Sequence, residues 1–187
     1  MTEEITIAGS GGQGVLTLGV MLAEIGTFEG KNVTWLPSYG AEKRGGFSFC
    51  DVIISESEIF SPVVERPGSL ILFDRRASDI YSAKAGEKTF VFENSSLVPE
   101  KDIKCAGRVR VPASEMARKM RFMRAMNIVM AGCYMAKKGI FNKESAYRVM
   151  GKMLKNKPEE MLEKNIHAFD SGMEFVKKEG LKAGNEK

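Results

Sequence analysis

Residues 9–14 read Gly9-Ser10-Gly11-Gly12-Gln13-Gly14, and they separate two stretches of different periodicity. Before them, residues 4–8 are rich in β-branched side chains and read as a strand; after them, residues 15–26 carry apolar side chains at helical spacing. A glycine turn between a strand and a helix exposes bare backbone to a ligand. The first-turn N–H groups of the helix have no intrahelical acceptor, and the helix dipole favours an anion there. The chemistry on offer is capture of a phosphate or carboxylate, with Gly9, Gly11, Gly12, Gln13 and Gly14 as the candidate ligand-binding residues. A nucleotide-hydrolysing loop of the Walker type is excluded, because Val15 follows Gly14 where the lysine would stand.

Two further segments belong on the same rim if the chain is a doubly wound sheet, in which ligands meet the carboxyl ends of the strands. Residues 37–46 read Pro37-Ser38-Tyr39-Gly40-Ala41-Glu42-Lys43-Arg44-Gly45-Gly46. They supply hydroxyls at Ser38 and Tyr39 and cations at Lys43 and Arg44. Asp74, Arg75 and Arg76 follow the apolar strand at residues 69–73. Guanidinium groups beside backbone donors suit an oxyanion. The same residues admit a second role, in which Glu42, Lys43 and Arg44 pair with one another or with a partner chain. A nicotinamide site is disfavoured: such folds place an acid roughly 20 residues beyond the glycines, at the end of the second strand. Here the second strand, residues 32–36, runs into Pro37 with no acid at its end.

What is missing narrows the function. Cys50, Cys105 and Cys133 are the only cysteines, none in a C-x-x-C pair, so these residues alone cannot build a zinc ribbon or an iron–sulfur cluster. His167, the single histidine, falls in a charged helical segment, and no G-x-S-x-G elbow occurs. A self-sufficient catalyst is not expected. The net charge of +4 is spread along the chain, which argues against a nucleic-acid binder. No signal peptide or spanning segment is legible, so membrane insertion is not expected and the compartment is the cytoplasm.

The elements that must hold these loops read as an α/β fold. The expectation is a single Rossmann-like three-layer domain over residues 1–180, with a mostly parallel but mixed sheet, an inserted β-hairpin and a helical C-terminal part, and a flexible tail at 181–187. The hairpin is read as a strand at 47–54 returning through 59–62. A helix over 77–83, strands at 89–92 and 108–111, and a helix opened by Pro112 continue the alternation. Helices at 122–138, 144–155 (with Asn142 as N-cap) and 158–178 close the chain. The first is methionine-rich (Met123, Met126, Met130, Met135), which suits core filling or an adaptable protein-binding face.

The glycine loop with Val15-Leu16, the run from Pro37 to Gly46, Ser61-Pro62, Asn127, and Asn165-Ile166-His167-Ala168-Phe169 together resemble the gamma subunit of 2-oxoacid:ferredoxin (acceptor) oxidoreductases. The resemblance covers almost the whole chain, and the Pro-Ser-Tyr-Gly form with Gly45-Gly46 is closer to the 2-oxoglutarate type than to the pyruvate type. It implies a heteromeric complex that converts a 2-oxoacid and coenzyme A to an acyl-CoA and carbon dioxide. Electrons pass to ferredoxin or another acceptor. Thiamine diphosphate then lies between alpha and beta subunits, and iron–sulfur clusters lie on partner elements, possible delta subunit included. The gamma chain packs on the coenzyme A side, with no cofactor of its own and no activity alone. The readings from other classes are a stand-alone nucleotide-binding oxidoreductase and a purely structural assembly subunit.

Overall fold

The computed structural model describes residues 1–40 and 45–185, with side chains placed through residue 179. Its centre is β1 (Thr2–Ser10), a strand whose residues from Ile5 to Gly9 are buried on both faces, as a sheet covered on two sides requires. β1 leads through the glycine turn into α1 (Val15–Phe28), then β2 (Asn32–Tyr39), β3 (Phe47–Ser55), β4 (Ser69–Leu72), α2 (Arg75–Tyr81), β5 (Phe90–Asn94) and β6 (Gly107–Val111). The six strands lie in the order β2-β3-β1-β4-β5-β6. β4, β5 and β6 run parallel to β1, while β3 is antiparallel to both of its neighbours, so the sheet is mixed.

The inserted hairpin is present, but its members differ from those read in the sequence. β2 and β3 pair from Asn32↔Ser55 to Tyr39↔Ser48, and residues 59–62 form no strand. β2 also runs three residues past Leu36. Pro37 does not end it, because a proline is tolerated where its nitrogen faces away from the ladder.

One face of the sheet carries Ile5, Ile7, Cys50, Val52, Ile54, Ile71 and Phe92 and packs under α1 and α4 (Met126–Lys138). The opposite face carries Ala8, Leu70, Leu72 and Val91 under Ala77 and Tyr81 of α2, which completes the third, thinner layer. α3 (Ala113–Lys119) and α6 (Glu159–Asn185) pack on α4, and α5 (Lys143–Met153) packs on α1. The methionine-rich segment starts its α-helix at Met126, four residues later than expected, after a 3₁₀ turn at Met123–Ala125 and a left-handed Arg121 at φ 53°. Met130 and Met135 are buried, so this face is core. Asn142 occupies the N-cap of α5, but its side chain makes no capping bond; its N–H donates to Glu29 Oε1 (2.8 Å). The backbone of α6 continues to Asn185, past the start of the expected tail.

α4 and α6 cross at glycines. A Cβ on Gly132 would land on the Phe169 carbonyl, and one on Gly172 on the Val129 carbonyl. Cys133 Sγ donates to Gly172 O at the same crossing (3.1 Å). Backbone-to-backbone approach of this kind locks the last helix against the one that carries Asn127.

Candidate functional site

The glycine turn is held by its own polar atoms. Gln13 folds back so that its Oε1 accepts from Ser10 N (2.8 Å), and Gln13 N–H donates to Ser10 O (3.2 Å). Gly9 is packed against Phe73 Cβ and Val15, where an added Cβ would stand 2.8 and 2.9 Å from them. These two residues shape the loop and do not line the cleft. Gly11 N–H is also spoken for, donating to Gly46 O (2.7 Å). That bond joins the glycine turn to the hairpin and places Gly45, Gly46, Phe47 and Ser48 where a parallel dinucleotide fold would put the end of its second strand. The ribose-acid position considered from the sequence therefore has no counterpart beside β1, because an antiparallel strand fills it.

Gly14 is the N-cap of α1 at φ 79°, and α1 has no side-chain cap and no acid in its first turn. The first-turn backbone faces a cleft of about 950 Å³ lined by Gly11, Gly12, Gly14, Val15–Thr17, Tyr39, Gly40 and the start of β3. The positive end of a 14-residue helix thus meets the cleft with no acid in its own first turn to quench it. Tyr39 stands at the rim, 74% exposed. Ser38 is half-buried on β2 and is not part of the lining. Lys43 and Arg44, with Glu42, lie outside the described residues.

The third expected segment divides. Asp74 caps α2 by accepting from Ala77 N (2.9 Å) and also accepts from Ser10 Oγ (2.6 Å), which ties the glycine loop to β4. Arg76 lies over the Phe47 ring, 5.2 Å from its centroid, next to the cleft. Arg75 turns outward toward Asp79.

Support from the C-terminal half was less legible in the sequence. Asn127, buried at 4% exposure, donates from Nδ2 to Gly14 O (3.2 Å) across 113 positions of sequence, and its Oδ1 has no partner among the described residues. Asn94 at the end of β5 donates to Phe73 O (3.1 Å) and Ser114 Oγ (2.8 Å) and accepts from Ser114 N–H (3.3 Å). A buried asparagine at a strand end, followed by a serine in the first turn of the next helix, was the available signal. Burial pushes the Cys50 thiol up to about 12; the Trp35 side-chain contact opposes the rise and the charge of Asp51 adds to it. Among the described residues no three His, Cys, Asp or Glu side chains gather to hold a metal, and no helix is long and apolar enough to cross a membrane.

Fold and site define an open, mixed α/β domain with an anion-ready glycine turn closed by a hairpin. The family profile described as "Pyruvate ferredoxin/flavodoxin oxidoreductase" matches residues 4–175, and the chain belongs to that family. It is 34% identical to the ketoisovalerate oxidoreductase subunit VorA of Methanothermobacter thermautotrophicus over 92% of this chain, but spans only 36% of that relative's length. With the 2-oxoglutarate synthase subunit KorC of Methanocaldococcus jannaschii it is 32% identical over 95% of each chain. The crystal structure of the keto/oxoacid ferredoxin oxidoreductase gamma subunit from Geobacter sulfurreducens superposes with a TM-score of 0.77 at 30% identity, covering 93% of this chain and 98% of that one.

Proposed function

We propose that this chain is the gamma subunit of a 2-oxoacid:ferredoxin (or other acceptor) oxidoreductase, and that its cleft receives the phosphate groups of coenzyme A. The reading is carried by the cleft itself, where an uncapped, acid-free helix N-terminus and bare glycine backbone face solvent. Nothing there makes or breaks a bond. The residues of this chain bind and orient: the first turn of α1 attracts an oxyanion, Tyr39 forms the lip, and Lys43 and Arg44 add cations. Alpha and beta subunits, with any delta subunit, carry thiamine diphosphate and the iron–sulfur clusters, and the assembled complex works in the cytoplasm. The oxoacid is 2-oxoglutarate, a choice supported by the near full-length match to KorC.

The test is coenzyme A dependence in the assembled complex. Arg44→Ala removes a charge-assisted bond of roughly 1.5–3 kcal/mol, so the apparent KM for coenzyme A rises about ten- to a hundredfold with the oxoacid KM unchanged. An active complex with unaltered coenzyme A dependence rejects the assignment of Arg44. Turnover of oxoacid by the isolated chain rejects the gamma-subunit reading.

A further inference from the structure

β2 is the outermost strand on its side of the sheet, and only one of its edges is used. Gly40 N–H donates to Phe47 O just beyond the hairpin register. In an antiparallel ladder the backbone groups alternate sides. Even-numbered positions of β2 therefore face β3, while Val33, Trp35, Pro37 and Tyr39 face outward. Pro37 fits this phase, since it has no N–H to give. Among the described residues, no strand pairs with this outer edge.

Edges are ordinarily blunted by shortness, charge, proline or a bulge. This one is eight residues long and contains no charged side chain; Pro37 blunts its far half and leaves the outward N–H groups of Val33 and Trp35 on the near half. Trp35, Leu36 and Tyr39 are 38, 37 and 74% exposed. Its second face is only partly covered. α1 covers the side of Val33 and Trp35, through Gly26 and Gly19, whereas α2 packs over β1 and β4; on that second side Thr34 Oγ1 is buried and Leu36 is exposed.

We infer that the outer edge of β2, with the exposed Leu36 beside it, is the docking surface for a catalytic neighbour chain of the complex, which adds an extended apolar segment beside residues 33–35. The inference rests on the gamma-subunit reading. The occupant is argued from three observations. The VorA relative is nearly three times as long as the region it shares with this chain, so there this domain is joined to further polypeptide. The strand offers uncharged backbone and apolar side chains, the composition of an interface core. The edge also runs directly into the cleft through Tyr39 and Gly40, so a segment seated there reaches the rim of the ligand site.

Residue-resolved hydrogen exchange on the wild-type chain, free and co-assembled with its alpha and beta subunits, tests this without any substitution. The Val33 and Trp35 amides exchange freely in the isolated chain and slow by roughly a hundredfold or more in the complex. Leu36→Lys, made on an exposed side chain, keeps the circular dichroism and melting of the free chain and weakens association by about tenfold or more. A complex that forms with β2 exchange unchanged overturns the docking surface and leaves the gamma-subunit reading standing. Equal protection in the concentrated isolated chain also overturns it, by showing that a second copy fills the edge. Failure of any complex to form refutes the parent reading and this inference with it.

Discussion

Gly14→Ala separates the two reasons a glycine is required at the start of α1. The first is conformational: at φ 79°, a side chain in the left-handed region costs about 1–2 kcal/mol. The second is steric. The new Cβ would stand 2.5 Å from Asn127 Nδ2, 2.6 Å from Cγ and 3.0 Å from Cβ, so moving the amide tip alone does not clear it. Displacing Asn127 breaks its bond to Gly14 O and strands a buried amide, a loss of about 1–3 kcal/mol. The sum is about 2–5 kcal/mol. Gly12 is the internal control, with φ 94° and open space around its Cβ position, so Gly12→Ala carries only the backbone cost of about 1–2 kcal/mol. Urea unfolding at constant m reads both. The Asn127→Ala background completes the test: once the carboxamide is gone, the Gly14→Ala loss falls toward that of Gly12→Ala and stays above it only by the remaining 3.0 Å contact with the Cβ at position 127. Equal losses at the two glycines, or a Gly14→Ala loss untouched by Asn127→Ala, would refute the coupling of α4 to the loop.

Two further outcomes follow from burial and close packing. Ellman's reagent at pH 8 titrates Cys105 alone in the folded chain, and all three cysteines after denaturation, because Cys50 and Cys133 are buried as neutral thiols. Burial raises the folded Cys50 pKa to about 12, so its share of stability is complete below about pH 8.5 and declines as pH rises toward 12; alkaline denaturation of wild type and Cys50→Ala checks the sign. Gly172→Ala drives a methyl into the Val129 carbonyl, and backbone cannot yield as a side-chain tip can. Thermal or urea unfolding therefore shows a loss of about 3 kcal/mol or more, with α4 and α6 losing exchange protection together.

The opening of the fold was legible because strand, glycine turn and helix each carry a local signal, and all three agree. The second strand of the hairpin was not. Ile59, Phe60 and Pro62 have the composition of a return strand, yet the pairing went to β2, whose backbone bonds leave no mark in side-chain pattern. Pro37 looked like an end because its place on an outer edge is decided by the sheet and not by the dipeptide. The glycine turn was legible from spacing, but the separate places of its residues were not. Gly9 and Gln13 brace the turn while Gly12 and Gly14 face the cleft, a difference set by Phe73, Val15 and Asn127. Phe73 and Asn127 are remote in sequence and carry no periodicity that links them to the turn.

The glycine crossing of α4 and α6 sets an order of events during synthesis. The turn at residues 9–14 leaves the ribosome first, but Asn127, which holds Gly14, sits on a helix that α6 packs against at backbone distance. Chains emerge from the amino end, and early segments wait for the partners that complete them. The glycine loop is written at the beginning of the message and finished at its end. A chain stopped before α6 would hold all six strands and still lack the helix that fixes the one carrying Asn127.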